Sequence, residues 1–122
     1  MLEALIGFAA LLQAQTLSRL PAPEANQGVA VDGAYVYAIG NSEIGKYDRA
    51  TGQRVALWTG DPATFPHLNS CAAIGVELVC ASSNYPAVPM ASTVEVFDPV
   101  NMVHLRSVQL GKQPGSLTWI DR

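Results

Sequence analysis

No run of basic residues occurs anywhere in this chain. Lys and Arg number 7 against 10 acidic residues, giving a formal charge of −3. Binding along a phosphate backbone needs clustered cations, interleaved with aromatics for single strands, so nucleic acid is not an expected partner. Charge of either sign is scarce, at 14% of residues. No apolar stretch is long enough to span a bilayer as a helix. There is no Gly-x-Ser-x-Gly elbow, no phosphate loop and no His-Glu-x-x-His. Ser70 and Ser116 have no elbow context, so a nucleophilic triad is not expected. The two cysteines, Cys71 and Cys80, lie too far apart for a zinc knuckle and have no accompanying His pair, so no metal site is expected.

What is present is enough apolar material for a core, at 49% of residues. Residues 1–14 resemble a secretory signal. Ala4 to Leu12 form an apolar stretch of suitable length, and Ala14 is a small residue at the cleavage position, so a mature chain begins near Gln15. This leader is expected to be helical and the protein extracytoplasmic, secreted or periplasmic. Glu3 stands where a signal carries Lys or Arg, so an upstream start or an amphipathic or buried N-terminal segment is the competing reading. Residues 15–26, with Pro21 and Pro23, read as a linker.

Beyond the linker the pattern is all-β. Val36 to Asn41, Ile44 to Asp48 and Arg54 to Trp58 read as strands, with Asp48-Arg49-Ala50-Thr51-Gly52 as a tight turn. A weaker copy runs through Leu78–Asn84 and Thr93–Asp98. A shift of 42 lays Tyr35–Ala38 over Glu77–Cys80, and a shift of 50 lays Ile44–Asp48 over Val94–Asp98. The difference falls in an insert, Tyr85 to Ser92. Units of this length with short antiparallel strands are the pattern of β-propeller blades. The fold class expected is a partial β-propeller. Blade 1 covers 27–60 and blade 2 covers 67–111, with the first strand of a third blade in 114–122. Closure takes about four to eight blades, so the chain reads as an N-terminal fragment whose partners include the remaining blades. A complete small β-sandwich is the alternative.

If Gly75-Val76 is a two-residue turn, Ile74 pairs with Glu77, and Cys71 pairs with Cys80 at a non-hydrogen-bonded position. A cross-strand disulfide is one reading, and two small buried side chains the other. The same register sets His67 opposite Asn84, Leu68 opposite Ser83 and Asn69 opposite Ser82. The segments 59–69 and 82–93 would then share one face near a central channel, with Gln27, Asn41, Gln113, Gly115 and Ser116 at equivalent positions of their units. Amides, hydroxyls and one imidazole there suit a small polar ligand. His67 is the candidate catalytic acid/base, and Asn69, Ser83, Asn84 and Tyr85 are the candidate ligand-binding residues. Capping of strand ends is the competing role for these polar residues. Tyr35, Tyr37, Trp58 and Trp119 read as packing aromatics, Asp48 and Asp98 as turn formers, and His104 as exposed on an outer strand.

The segment Tyr47-Asp48-Arg49-Ala50-Thr51-Gly52-Gln53-Arg54-Val55 resembles the blade motif of quinoprotein-like and YVTN-type β-propellers. His67-Leu68-Asn69-Ser70, Ser83 to Met90, Val94 to Asp98 and Gly115 to Trp119 resemble a group of secreted bacterial propellers labelled cycloisomerase-like. The resemblance covers residues 27–122 and implies a propeller fold. For chemistry it implies lactone hydrolysis or cycloisomerisation, with His67 as acid/base and Asn69 and Asn84 orienting a carboxylate or a metal-bound water. A non-catalytic interaction scaffold is the other class. A quinone-dependent dehydrogenase is a third, although Trp58 lies later than in the pyrroloquinoline-quinone repeat. No cofactor is fixed by the resemblance.

Overall fold

The computed structural model describes residues 14–121, so the expected leader helix lies almost wholly outside the described residues. The described part is all-β with no helix. Sheet 1 is an antiparallel meander of β1 (Gly28–Val31), β2 (Tyr35–Ile39), β3 (Glu43–Asp48) and β4 (Arg54–Thr59). Sheet 2 repeats that order with β5 (His67–Ile74), β6 (Glu77–Ser83), β7 (Ala91–Asp98) and β8 (Val103–Lys112).

Short polar turns set the meander. Asp32 Oδ1 accepts the backbone N–H groups of Ala34 and Tyr35, each at 2.8 Å, and closes the β1–β2 hairpin. Asp48 Oδ1 accepts from Ala50 and Thr51, and Gly52 follows at φ 74°, where a side chain would be strained. Asp98 does the same for β7–β8, accepting from Val100 at 2.8 Å. There Met102 takes the positive φ of 52° and buries its side chain in the core.

Burial of Ile39, Ile44 and Tyr37 from sheet 1 and of Leu68, Leu78 and Phe97 from sheet 2 makes one core. Trp58 of β4 meets the Phe97 ring edge-on at 4.7 Å and the Phe65 ring at 5.0 Å. Lys46 spans the two sheets, its Nζ donating to Pro99 O at 2.6 Å while lying over the Tyr35 ring. At Gly28, an added Cβ would lie 2.9 Å from Asn69 O, so glycine lets β1 approach β5 closely.

The other face of sheet 1 is closed by the segment before β1. Glu24, 2% exposed, accepts from Tyr47 Oη at 2.6 Å and from the Arg54 guanidinium. Gly45 makes the room, because a Cβ there would come within 2.9 Å of the Glu24 carboxylate. Burial pushes the Glu24 pKa upward, but hydrogen bonds from Tyr47, the backbone and Arg54, with the Arg54 charge, hold it below the ordinary value.

The expected register holds from Ile74–Glu77 back to Cys71–Cys80. The two cysteines are joined in a disulfide with Cα atoms 3.9 Å apart, the close spacing of a non-hydrogen-bonded pair. Beyond them the expectation fails. Asn69 and Ser70 together oppose Ala81, so a bulge carries one extra residue on β5. His67 therefore pairs with Ser83, not Asn84, and Leu68 with Ser82, not Ser83. Residues 115–120, expected as a strand, belong to neither sheet. A strand needs a ladder partner, and among the described residues no strand pairs with this segment. Trp119 in that segment is 71% exposed rather than packed.

Candidate functional site

The face of sheet 2 that looks toward sheet 1 changes character along its length. One cross-strand row, Leu78, Phe97 and His104, is mostly apolar and faces Trp58. The next row is Cys80, Glu95 and Ser107, and the third is Ser82, Thr93 and Gln109. Against these polar rows lies the β4–β5 connection, held by Ser42 Oγ donating to Phe65 O at 2.6 Å. Between the connection and the sheet is an open cleft of about 300 Å³, with Thr64 and Pro66 on one wall and Thr93, Glu95 and Gln109 on the other. The segments expected to share a face, 59–69 and 82–93, do meet here.

Glu95 is the centre of this wall. It is buried, and its Oε1 accepts from Thr93 Oγ1 at 2.6 Å. Its Oε2 accepts from Ser107 Oγ and lies 2.7 Å from His104 Nε2. His104 is half-buried, not exposed as expected from the sequence, and its ring packs edge-on against Phe65 and Phe97. The bulge between Val96 and Phe97 is the reason, since it lets His104 and Ser107 share a face. Glu95, His104 and Ser107 are not a charge-relay triad. Both the carboxylate and the hydroxyl approach the same imidazole nitrogen, Nε2, whereas a triad needs them on opposite nitrogens.

The sequence candidates are distributed as follows. Ser83 and Asn84 line the cleft at its rim. Asn84 spends its amide on its own loop, donating to Pro89 O at 3.1 Å and accepting from Ala91 N at 2.8 Å. It holds the insert closed, which is the capping role. Tyr85, on that insert, is 52% exposed, with its ring centroid 5.1 Å from that of His67. His67 bonds toward the cleft through its carbonyl, which accepts from Ser82 Oγ at 3.2 Å. Asn69 turns away, donating to Leu117 O at 2.7 Å, and Ser83 Oγ shares a 2.6 Å bond with Ser116 Oγ.

The remaining polar positions do not converge on one point. Asn41 lines a second cleft, of about 360 Å³, beside Ser42 and Thr59. Gln113, Gly115 and Ser116 line a third, of about 300 Å³, on the side of Ser92. Glu95, Thr93, Ser107 and Gln109 were missed because single polar residues in an alternating strand read as solvent-facing. The signal available was their coincidence, two polar pairs across β7 and β8 in successive rows. Among the described residues no group of three or more His, Cys, Asp or Glu is placed to hold a metal ion. Among them no helix is long and apolar enough to cross a membrane. No family model, no curated protein and no solved structure matches the chain.

Proposed function

We propose that this chain is part of an exported β-propeller that binds a small polar ligand in the cleft between the β4–β5 connection and sheet 2. The observation that carries the ligand reading is a buried carboxylate set among hydroxyls on an open wall. A buried charge is costly unless its environment satisfies it, and here three side chains are arranged around Glu95 at the edge of an accessible cavity.

The propeller reading is supported by the correspondence of the two meanders. Val31 pairs with Val36, and 42 residues later Ala73 pairs with Leu78. Tyr47 pairs with Arg54, and 50 residues later Phe97 pairs with His104. The bulges between Lys46 and Tyr47 and between Val96 and Phe97 keep the same offset of 50. The segment at Leu68 docks on the end of sheet 1 through Leu68 N and Asn41 O, and the segment at Leu117 docks on sheet 2 through Leu117 N and Ser92 Oγ. Repetition of unit and of docking is what stacked blades require. A propeller built from such units closes with about four to eight of them. The Cys71–Cys80 disulfide supports export, because such bonds persist in oxidising compartments.

Binding is favoured over turnover. The imidazole in the wall contacts carboxylate and hydroxyl through one nitrogen, and His67 is paired with the Tyr85 ring rather than with a carboxylate. The test is saturation-transfer NMR with glycerol, glucose and gluconolactone as probes. Transfer to at least one probe is expected, and Gln109→Trp at the cleft wall should abolish it with the melting temperature unchanged. Transfer that survives Gln109→Trp would move the ligand to another cleft, and steady hydrolysis of gluconolactone lost in His67→Ala would favour the lactonase reading.

A further inference from the structure

The direction of the hydroxyl protons determines what the cleft can recognise. Thr93 donates its proton to Glu95 Oε1, and Ser107 donates its proton to Glu95 Oε2. Ser82 donates its proton to the His67 carbonyl. A hydroxyl has one proton and two lone pairs, so each of these oxygens, once its proton is committed, presents only acceptor capacity. Glu95 itself is acceptor-only when ionised. Among the described residues, no lysine or arginine lines the cleft. Four acceptor groups therefore sit on one wall, with one carboxylate charge among them. The charged and titratable groups nearby are few. His104 contacts Glu95 from β8, Asp61 has its Oδ1 committed to Ala63 N in the connection, and Lys112 pairs with Ala91 at the rim.

We infer that the ligand of this cleft carries a primary ammonium group, which the acceptor wall of Glu95, Thr93, Ser107 and Ser82 selects over neutral and anionic analogues. An ammonium offers three donors and no acceptor, the complement of such a wall, and its bonds to a carboxylate are charge-assisted. A carboxylate or phosphate ligand would find a donor at the Gln109 amide but would face these lone pairs and a like charge. The inference rests on the proposal that this cleft is the binding site, and it names the chemical class of what binds there.

The test compares three sugars of one size at neutral pH: glucosamine, glucose and glucuronate. Binding is followed by chemical-shift changes at the backbone amides of Thr93, Glu95 and Ser107. Glucosamine should bind about tenfold more tightly than glucose, the ratio that one charge-assisted bond in place of a neutral one supplies, with glucuronate weakest. Glu95→Gln should remove the preference. Because Glu95 is buried, Gln109→Glu supplies a second, surface-tolerated test, and it should increase the preference for glucosamine. Equal binding of the three sugars, or a preference for glucuronate, would overturn the ammonium assignment while leaving a polar-ligand site in place. No shift with any of the three would overturn both.

Discussion

Replacing Glu24 by Gln tests whether the carboxylate under Gly45 secures the segment before β1 to sheet 1. Glu24 is 2% exposed and accepts from Tyr47 Oη at 2.6 Å, while Arg54, its second partner, has a side chain 45% exposed. The solvent-screened Arg54 contact adds little. The Tyr47 bond is buried and charge-assisted, and bonds of that kind contribute about 1.5–3 kcal/mol. With a urea slope of about 1–3 kcal/mol per molar, Glu24→Gln should lower the unfolding midpoint by about 1 M at neutral pH. The pH dependence has a definite sign. The folded Glu24 pKa lies below the ordinary value of 4.5, so its charge contributes fully above that value and the contribution is lost as pH falls through the folded pKa. The gap between wild type and variant should therefore close in strong acid. An equal gap at neutral and strongly acidic pH, or none at neutral pH, would refute the reasoning.

Three further outcomes follow from particular contacts. Among the described residues the buried Ser70 Oγ finds no hydrogen-bond partner, so Ser70→Ala should leave stability unchanged or raise it by up to about 1 kcal/mol, read by urea unfolding. A loss above that size would mean the hydroxyl has a partner. Opening the Cys71–Cys80 bridge, with its sequence separation of 9, by Cys71→Ala plus Cys80→Ala should cost about 2–3 kcal/mol on the chain-entropy scale. Thiol titration of the unfolded protein should find no free cysteine, and two reactive thiols would contradict the bridge. Phe97→Ala should cost about 3–5 kcal/mol by thermal or urea unfolding, since the ring is fully buried between Trp58 and the core.

The sequence was most informative where local chemistry fixes local shape. Gly75, with φ 60°, begins a two-residue turn, and counting outward from it places Cys71 against Cys80. Asp48 with Gly52, and Asp98 four residues before Met102, likewise mark turns whose side-chain bonds are visible in the structure. Counting fails once a bulge intervenes. The extra residue at Asn69–Ser70 displaces His67 from Asn84 to Ser83, and nothing in His67-Leu68-Asn69-Ser70 distinguishes a bulge from a regular strand. A second bulge turns His104 inward against the alternation of Val103-His104-Leu105. Glu95 was hidden for a different reason. Its partners come from β7 itself and from β8, and only the pairing of those two strands brings Thr93, Ser107 and His104 around one carboxylate. Asn84 was legible as a polar residue at a strand end, but its use in closing the insert depends on where Pro89 and Ala91 return.

The most direct test of the account is a map of backbone amide shifts on titration with glucosamine. Shifts concentrated at residues 63–64, 82–84, 91–95 and 107–109 are expected, because these surround the cleft that contains Glu95. Shifts confined to 41–43 and 59–60, or to 113–117, would place the ligand in one of the other two clefts and contradict the assignment.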